Sequence, residues 1–267
     1  MIRNITLGQY YQTTSLIHRL DPRVKLVMTV AFIILLFIVR EITGFTLAAI
    51  FLFTIIKLSK VPFRFMIRGM KAIIFLLLFA VFFNLFLTPG EPALTLWRII
   101  ITWEGIRLAL TLTTRLIMLI LGSSIMTLTT TPANLTDGME KLMKPLRIIK
   151  VPVHEVTMMM SISLRFIPIL LEETDKIMKA QIARGADFES GSLIKKAKSL
   201  VPLLVPLFIS AFRRANDLAM AMEARCYRGG DGRTKMKPLV YKTRDRIAYL
   251  CAFAYMIMAV FLDRTLL

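Results

Sequence analysis

Cysteine and histidine are scarce in this chain of 267 residues, which limits the kinds of site it can build. Cys226 and Cys251 are the only cysteines, and His18 and His154 are the only histidines. None of the four has further ligand residues at metal-binding spacing, and no His-Glu-x-x-His motif occurs. The sequence therefore predicts neither a disulfide framework nor a metal site.

Motifs for nucleotide binding and for nucleophilic catalysis are also absent. The stretch Gly229-Gly230-Asp231-Gly232 lacks the lysine and the hydroxyl residue that complete a phosphate-binding loop, so we interpret it as a turn. Ser123-Ser124 has no Gly-x-Ser-x-Gly elbow around it, and small residues of this kind commonly pack membrane helices together. We expect no catalytic residues, no cofactor and no enzymatic activity from this chain.

Acidic residues are few, with 17 Asp and Glu against 35 Lys and Arg and a net charge of +18. A basic excess can indicate nucleic-acid binding, but 56% of these residues are hydrophobic, compared with about 45–50% in soluble domains. The aromatic residues are not interleaved with the basic ones as single-strand binding requires. Basic cytoplasmic loops explain the charge better, so we predict an integral membrane protein that binds no nucleic acid.

Five apolar runs predict an all-α, polytopic protein with about five membrane helices. The runs are Leu26–Val39, Ile42–Ile56, Ala72–Leu87, Ile106–Leu128 and Ile247–Leu262. The first two are shorter than the roughly 20 residues of a typical span, but Lys25, Arg40 and Lys57 can lengthen them by snorkelling. The stretch Met1–Leu20 is polar and lacks the apolar core of a signal peptide, so we expect insertion through the first span.

The charge pattern predicts the topology in the membrane. Lys57–Lys71 contains five basic residues and no acidic one, which is typical of a cytoplasmic loop, whereas Thr88–Gly105 fits the outer side. We expect Arg23 and Lys25 to face the cytoplasmic headgroups. Arg115 lies inside the fourth run, where we expect it to snorkel or to pair within the bundle. These features place the N-terminus in the cytoplasm and the protein in the cell membrane.

The region between the fourth and the last run is ambiguous. Pro152–Leu171 is long enough to span a membrane, whereas Leu200–Phe212 is too short and contains Pro202 and Pro206. If both runs crossed, the lysine-rich segment between them would be exported, against the positive-inside bias. We therefore predict three regions, which are a membrane region (1–130), a cytoplasmic coupling region (131–245) and a C-terminal membrane helix (246–267).

An arginine triplet occurs twice in the predicted cytoplasmic region. Ala183-Arg184-Gly185 and Ala224-Arg225-Cys226 are 41 positions apart, and each follows an apolar run that contains proline. One copy alone would be an ordinary helix end, with the arginine near the negative pole of the helix dipole and Gly185 in the left-handed conformation. Two copies in one register instead indicate a matched pair of arginine tips.

The same register aligns Glu172-Glu173 with Arg213-Arg214. If the two helices cross at that level, opposite charges would hold the crossing in place. Glu172, Glu173, Arg213 and Arg214 are therefore candidates for a helix-crossing site.

These features together resemble the transmembrane T component of energy-coupling factor transporters, a class of ABC importers for vitamins and metal ions. The resemblance covers nearly the whole chain. It is carried by Ile17-His18-Arg19-Leu20-Asp21-Pro22-Arg23-Val24-Lys25, by the region from Thr131-Pro132 to Pro145-Leu146 and by the two arginine triplets. It implies a scaffold without catalytic activity, whose long coupling helices bind two cytoplasmic ABC ATPase subunits. The ATP-driven motion would pass to a separate, small membrane subunit that captures the substrate.

The resemblance also implies which residues bind the ATPases. They are Ala183, Arg184, Gly185, Ala224, Arg225 and Cys226, by their position in the two motifs. The second motif usually ends in glycine in this family, and Cys226 departs from that pattern. A small side chain preserves close approach but loses the conformational freedom of glycine.

Two other functions remain open from the residues themselves. In a conventional permease, Arg107, Arg115 and Asn84 would line a substrate pathway, and the chain alone would bind substrate. A polytopic lipid-modifying enzyme would turn over its substrate without partners. A scaffold predicts neither behaviour.

Overall fold

The computed structural model describes residues 10–39, 41–96, 99–186, 188, 192–230, 236 and 238–265. Its helices are α1 (Pro22–Ile38), α2 (Ile42–Ser59), α3 (Phe63–Leu87), α4 (Trp103–Thr129), α5 (Pro132–Met143), α6 (Val153–Ala183), α7 (Leu193–Ala224) and α8 (Thr243–Thr265), with a 3₁₀ helix at Lys144–Ile149. The predicted all-α, polytopic membrane fold is confirmed. The predictions for the residues before Tyr10, for Arg40 and for Asp231-Gly232 lie outside the described residues.

A short pair of strands lies between α3 and α4, in the stretch that the charge pattern assigns to the outer side. β1 (Pro92–Leu96) is antiparallel to β2 (Ile99–Thr102). The hydroxyl of Thr102 accepts a hydrogen bond from the backbone N–H of Gly105 at 3.1 Å, which caps the start of α4, and donates to the carbonyl of Thr88 at 2.9 Å. This side chain therefore joins the end of α3 to the start of α4.

The described residues of 8–141 and 239–267 form one compact unit, here called the bundle unit. α1, α2, α4 and α8 pack together, and α3 packs mainly on α4. The largest fully buried apolar side chains of this unit are Val24, Leu36, Val39 and Met66. Gly122 of α4 faces the Phe32 ring of α1 so closely that an added Cβ would lie 3.0 Å from it. A larger residue at position 122 would require the Phe32 ring to shift by a few tenths of an ångström.

The bundle unit exposes many large apolar side chains on its outer faces. Examples are Phe37, Phe53, Phe75, Phe79 and Phe261. A soluble monomer rarely exposes such an area, whereas hydrocarbon tails solvate it without penalty. The inside of the bundle is nevertheless packed as a protein core, so these exposed faces fit a membrane protein.

Four helices are long and apolar enough to cross a membrane, counted over the described residues: α2, α4, α6 and α8. α1 has 17 residues, fewer than the roughly 20 of a typical span. The apolar part of α3, Ile73–Leu87, is also shorter. The number of five spans therefore stays a prediction. α6 belongs to the four by length and composition, whereas the charge pattern favours the cytoplasm for it.

The described residues of 142–238 form a second compact unit, here called the two-helix unit because α6 and α7 dominate it. The sequence placed a separate apolar run that contains proline before each arginine triplet. In the structure each repeat is one continuous helix of 31 or 32 residues, with Pro168 inside α6 and Pro202 and Pro206 inside α7. Each proline removes one backbone hydrogen bond and its ring crowds the carbonyl four residues earlier, but the bonds on either side continue the helix.

Candidate functional site

The first arginine triplet forms the C-terminal end of α6. Arg184 is the C-cap residue, and Gly185 follows in the left-handed region with φ +85°. The N–H of Gly185 donates to the carbonyl of Ile182 at 2.9 Å, and the N–H of Ala186 donates to that of Gln181 at 3.0 Å. This pair of reversed hydrogen bonds is the Schellman motif, which satisfies the last carbonyls of a helix.

The second triplet ends α7 in the same way. Arg225 is the C-cap residue, and Cys226 follows with φ +54°. The N–H of Cys226 donates to the carbonyl of Glu223 at 2.8 Å, and the N–H of Tyr227 donates to that of Met222 at 3.1 Å. Every donor and acceptor is the residue 41 positions after its counterpart in the first tip. The two tips therefore have one backbone geometry, although glycine is replaced by cysteine.

The arginine side chains of both tips point into solvent. Ala183, Arg184, Gly185, Ala224, Arg225 and Cys226 are all exposed. Within the part of the chain that the structure describes, neither guanidinium group forms an ion pair. The Schellman motif explains the glycine-like backbone of each tip, but it does not require an arginine. Because both arginines are exposed, their cations can bind another molecule.

A charged pair joins α6 to α7 at equivalent positions of the repeat. Nη2 of Arg214 lies 2.6 Å from Oε2 of Glu173, and these residues are 41 positions apart. The hydroxyl of Ser210 donates to Oε1 of Glu173 at 2.8 Å. The other two candidates for the crossing, Glu172 and Arg213, are exposed. Glu173 thus pairs with Arg214, which occupies the equivalent position in the second repeat, as expected where two copies of one helix cross.

The crossing lies at the same distance from both tips. Arg184 follows Glu173 by 11 residues, and Arg225 follows Arg214 by 11 residues. At 1.5 Å per residue, each arginine is roughly 16 Å along its helix from the crossing. An apolar groove lies between the two helices beside Arg214, which forms part of its wall. Its lining includes Ile162, Phe166, Leu170, Ala211 and Leu218.

A second polar cluster surrounds the start of α1 in the bundle unit. The carboxylate of Asp21 caps α1 by accepting from the N–H of Arg23 at 2.9 Å, and it also accepts from Nε and Nη2 of Arg23 at 2.9 and 2.7 Å. The Arg23 guanidinium lies 3.7 Å from the ring centroid of Tyr241. Burial would raise the pKa of Asp21, but the hydrogen bonds and charge of Arg23 outweigh it and lower the pKa.

The prediction that Arg23 and Lys25 face the lipid headgroups is wrong. Both residues are 8% exposed. Nζ of Lys25 donates to the carbonyl of Thr129 at 2.8 Å and to that of His18 at 3.3 Å, so this lysine caps the C-terminal end of α4. Their cations are bound by carboxylate and carbonyl oxygens inside the bundle unit, and Lys25 does not snorkel.

The N-terminal segment and α8 complete this cluster. Asp245, 1% exposed, accepts from the N–H of Asp21 at 3.0 Å and from that of Lys242 at 2.8 Å. Nε2 of His18 donates to the carbonyl of Tyr11 at 3.0 Å, and burial lowers the pKa of this histidine. The cluster fastens the starts of α1 and α8 to each other. Sequence reasoning missed Asp245, because it lies 224 residues from Asp21 and no local pattern marks it.

The residues of the alternative permease pathway each have a separate structural partner. Arg107 pairs with Glu41 at 3.1 Å, and Nη2 of Arg115 donates to the carbonyl of Val39 at 3.1 Å, near the Phe45 ring. The amide of Asn84 donates to Ala80 of its own helix at 2.8 Å. Arg115 therefore pairs within the bundle, and these three polar groups serve helix ends and helix contacts.

Comparisons with known proteins agree on one family. A family model described as "CbiQ: Cobalt transport protein" matches residues 13–236. A curated protein of Clostridium kluyveri named "Energy-coupling factor transporter transmembrane protein EcfT" is 56% identical over 254 residues, which is 94% of each chain. Proteins of the same name from Acidaminococcus fermentans and Bacillus subtilis are 48% identical over 98% of each chain and 47% identical over 92% and 93%.

Proposed function

The chain belongs to the CbiQ family, whose members include the transmembrane protein EcfT of energy-coupling factor transporters, and from this premise we propose that it is the coupling scaffold of such a transporter. In this role two cytoplasmic ATPase subunits bind the tips of α6 and α7. A separate small membrane subunit captures a vitamin or a metal ion. The chain itself carries no catalytic step and selects no substrate.

One observation carries the proposal: the two tips have the same cap geometry and present exposed arginines at equal distances from one crossing. A pair of matched cationic tips fits a partner with two equivalent receiving sites. Two ATPase subunits that each offer a groove provide such sites. A single arginine at a helix end would be explained by the helix cap alone and would not indicate a partner with two receiving sites.

The chemistry of the tips indicates what the receiving grooves contain. Each exposed guanidinium presents five N–H donors in a planar fork, which suits a carboxylate or the carbonyls at a helix C-terminus. Insertion would desolvate the arginine, so the groove has to supply acceptors for it. At an interface, removing one partner of such a buried pair costs about 2–5 kcal/mol.

The crossing provides the mechanical link between the tips. When ATP hydrolysis moves one ATPase relative to the other, the grooves displace the tips, and α6 and α7 turn about the point where Glu173 meets Arg214. The contacts to Glu173 from Arg214 and Ser210 keep that point in register. Such motion does work on the substrate-binding subunit only if the contact energies differ between the two arrangements.

The scaffold is proposed to lie in the cell membrane with residues 1–130 and 246–267 as its membrane regions and residues 131–245 in the cytoplasm. The N-terminus is on the cytoplasmic side. The exposed apolar faces of α1, α2, α4 and α8 support lipid contact for the bundle unit. The lysines near the end of α6 and the start of α7 favour the cytoplasm for the two-helix unit by the positive-inside bias; they are Lys176, Lys179, Lys195, Lys196 and Lys198.

Co-purification from membranes tests this function. The chain is expressed with an affinity tag in cells that supply its natural partners, and the captured complex is analysed by native mass spectrometry. The expected composition is one copy of the chain, two ABC ATPase subunits and one small hydrophobic protein. Capture of the chain alone, combined with saturable substrate binding by that purified chain, would support a permease and contradict the scaffold.

A further inference from the structure

The segment Leu142–Lys150 contains a 3₁₀ helix whose winding matches the period of its sequence. A 3₁₀ helix turns once in 3.0 residues, so side chains three positions apart lie above one another. Over Lys144–Ile149, this gives one row with Lys144 and Arg147 and a second row with Leu146 and Ile149. Lys150 follows as the cap residue, with φ +61°. The winding therefore sorts cations from apolar side chains in a stretch that has no α-helical period.

The apolar side chains of this segment are unusually exposed. Every residue from Leu142 to Lys150 is exposed except Met143. Ile148 is 87% exposed and Ile149 is 67% exposed. Isoleucines in an aqueous surface loop are normally covered or scattered singly, whereas here two adjacent ones project with Leu146 beside them. The segment thus presents a small apolar surface with cations next to it.

We propose that residues 142–150 form an interfacial anchor that binds the anionic phospholipid headgroups of the bilayer in which the chain is inserted. Lys144 and Lys150 contact the phosphates, and Leu146, Ile148 and Ile149 enter the boundary between headgroups and acyl chains. Amphipathic segments of this kind insert about 5–10 Å below the headgroup surface. This proposal does not depend on the coupling of ATPases.

Charge complementarity favours this occupant over a protein surface. The segment contains Lys144 and Lys150, which are both exposed, and no acidic residue. Cations near an anionic leaflet strengthen binding by about fivefold each, and apolar residues beside them add to it. A bilayer supplies negative charge next to a hydrocarbon boundary along its whole surface. A protein partner would need carboxylates beside an apolar face, spaced to match the lysines and the apolar side chains of this segment.

Chain connectivity keeps the segment close to the membrane. α4 is a membrane-capable helix that ends at Thr129, and the 12-residue α5 leads from there into the segment. At 1.5 Å per residue, α5 spans about 18 Å. The segment therefore begins within about 20 Å of the end of α4, and an α5 that lies along the bilayer surface would bring Leu146 and Ile148 to that surface.

The proposal is tested on the full-length chain in lipid nanodiscs. A single cysteine is placed at the most exposed position by Ile148→Cys, in a background with Cys226→Gly and Cys251→Ala. Its initial rate of reaction with an uncharged polyethylene-glycol maleimide is measured in discs of phosphatidylcholine and in discs that also contain phosphatidylglycerol. A matched control in the same background is Ile182→Cys, since Ile182 is a half-exposed apolar residue near the α6 tip and lies outside the segment that contains Lys144 and Lys150.

We expect the Ile148→Cys chain to react at least about fivefold more slowly when phosphatidylglycerol is present, and the Ile182→Cys chain to react equally in both discs. Adding Lys144→Gln and Lys150→Gln should return the slow rate to the phosphatidylcholine value. Unchanged reactivity of the control then shows that the lysine variants are folded.

Three results would overturn the proposal. Equal labelling of Ile148→Cys in both discs would mean that anionic lipid does not reach the segment. Protection that is equal in both discs and insensitive to the lysine substitutions would mean apolar contact without headgroup recognition. Protection that arises only after partner subunits are added would assign the segment to a protein interface.

Discussion

A reciprocal exchange of Gly185 and Cys226 tests whether the two tips are one structure with unequal stability. Both residues are in the left-handed region, at φ +85° and +54°. An L-residue there costs about 1–2 kcal/mol, and glycine gives back about 0.5–1 kcal/mol through its larger freedom in the unfolded chain. Cys226→Gly should therefore stabilise the α7 tip by about 0.5–1 kcal/mol, and Gly185→Cys should destabilise the α6 tip by a similar amount.

Steric contact does not complicate this comparison at the first tip. A Cβ added at Gly185 would meet nothing within 4 Å, so the penalty comes from the backbone alone. The free-energy change corresponds to roughly two- to fivefold in the opening equilibrium of the last turn. The N–H groups of Ala186 and Tyr227 report that opening, because each donates to a carbonyl across its cap.

Hydrogen exchange with mass spectrometry provides the assay, with rates corrected for the intrinsic exchange of each sequence. Protection at Tyr227 should rise in Cys226→Gly, and protection at Ala186 should fall in Gly185→Cys. Each variant serves as the control for the other, because the unaltered tip should keep its protection. Changes of the same sign in both variants, or no change in either, would refute the shared-cap explanation.

Three further predictions concern the bundle unit, the crossing and the topology. Asp21→Asn should lower the free energy of unfolding by about 3–5 kcal/mol, measured by thermal denaturation, because it leaves the buried Arg23 without its carboxylate partner. The pKa of Asp21 is lowered in the folded protein, so the stability that its carboxylate contributes should be present at neutral pH and be lost as the pH falls through that lowered pKa. Arg214→Glu should loosen the α6–α7 crossing in hydrogen exchange, and the double exchange with Glu173→Arg should restore it. A cysteine at Lys196, after both native cysteines are replaced, should react with an impermeant reagent only from the cytoplasmic side.

Each of these predictions has an outcome that would contradict it. For the capped start of α1, the contradicting result would be a melting temperature of Asp21→Asn equal, within error, to that of a variant at an exposed position, Asp217→Asn. For the crossing, it would be a double exchange no better protected than the worse single variant. For the topology, labelling from outside intact cells would mean that α6 and α7 cross the membrane.

The repeat was readable from the sequence because its signal is local. The register of 41 positions brings together the two triplets and also aligns Glu173 with Arg214, and a helix end with a small residue has a recognisable pattern. The left-handed conformation of Cys226 was not predictable from residue type, since cysteine rarely adopts it. It follows from the hydrogen bonds that close the α7 cap in the same way as the α6 cap.

The burial of Arg23 and Lys25 could not be predicted from their surroundings in the sequence. Both lie at the start of an apolar run, where basic residues usually face headgroups. The Thr129 carbonyl that binds Lys25 is 104 residues away, and Arg23, although it pairs with the nearby Asp21, is covered by the ring of Tyr241, just before α8. Only the tertiary structure brings this carbonyl and this ring to the start of α1.

The most direct test of the central claim is capture of the ATPase subunits by a chain with both tips reversed in charge. If each arginine enters a desolvated groove, Arg184→Glu with Arg225→Glu should weaken binding by roughly thirtyfold or more at each tip, release the ATPases and abolish uptake. Membrane insertion should stay normal, because both arginines are exposed.

A chain with Arg165→Glu and Arg213→Glu, which reverses one exposed arginine on each helix, should retain the ATPases. If the arginines only complement the helix dipole, the tip variant loses about 0.3–1 kcal/mol locally. Co-purification of the ATPases at wild-type yield with that variant, with uptake preserved, would contradict the account.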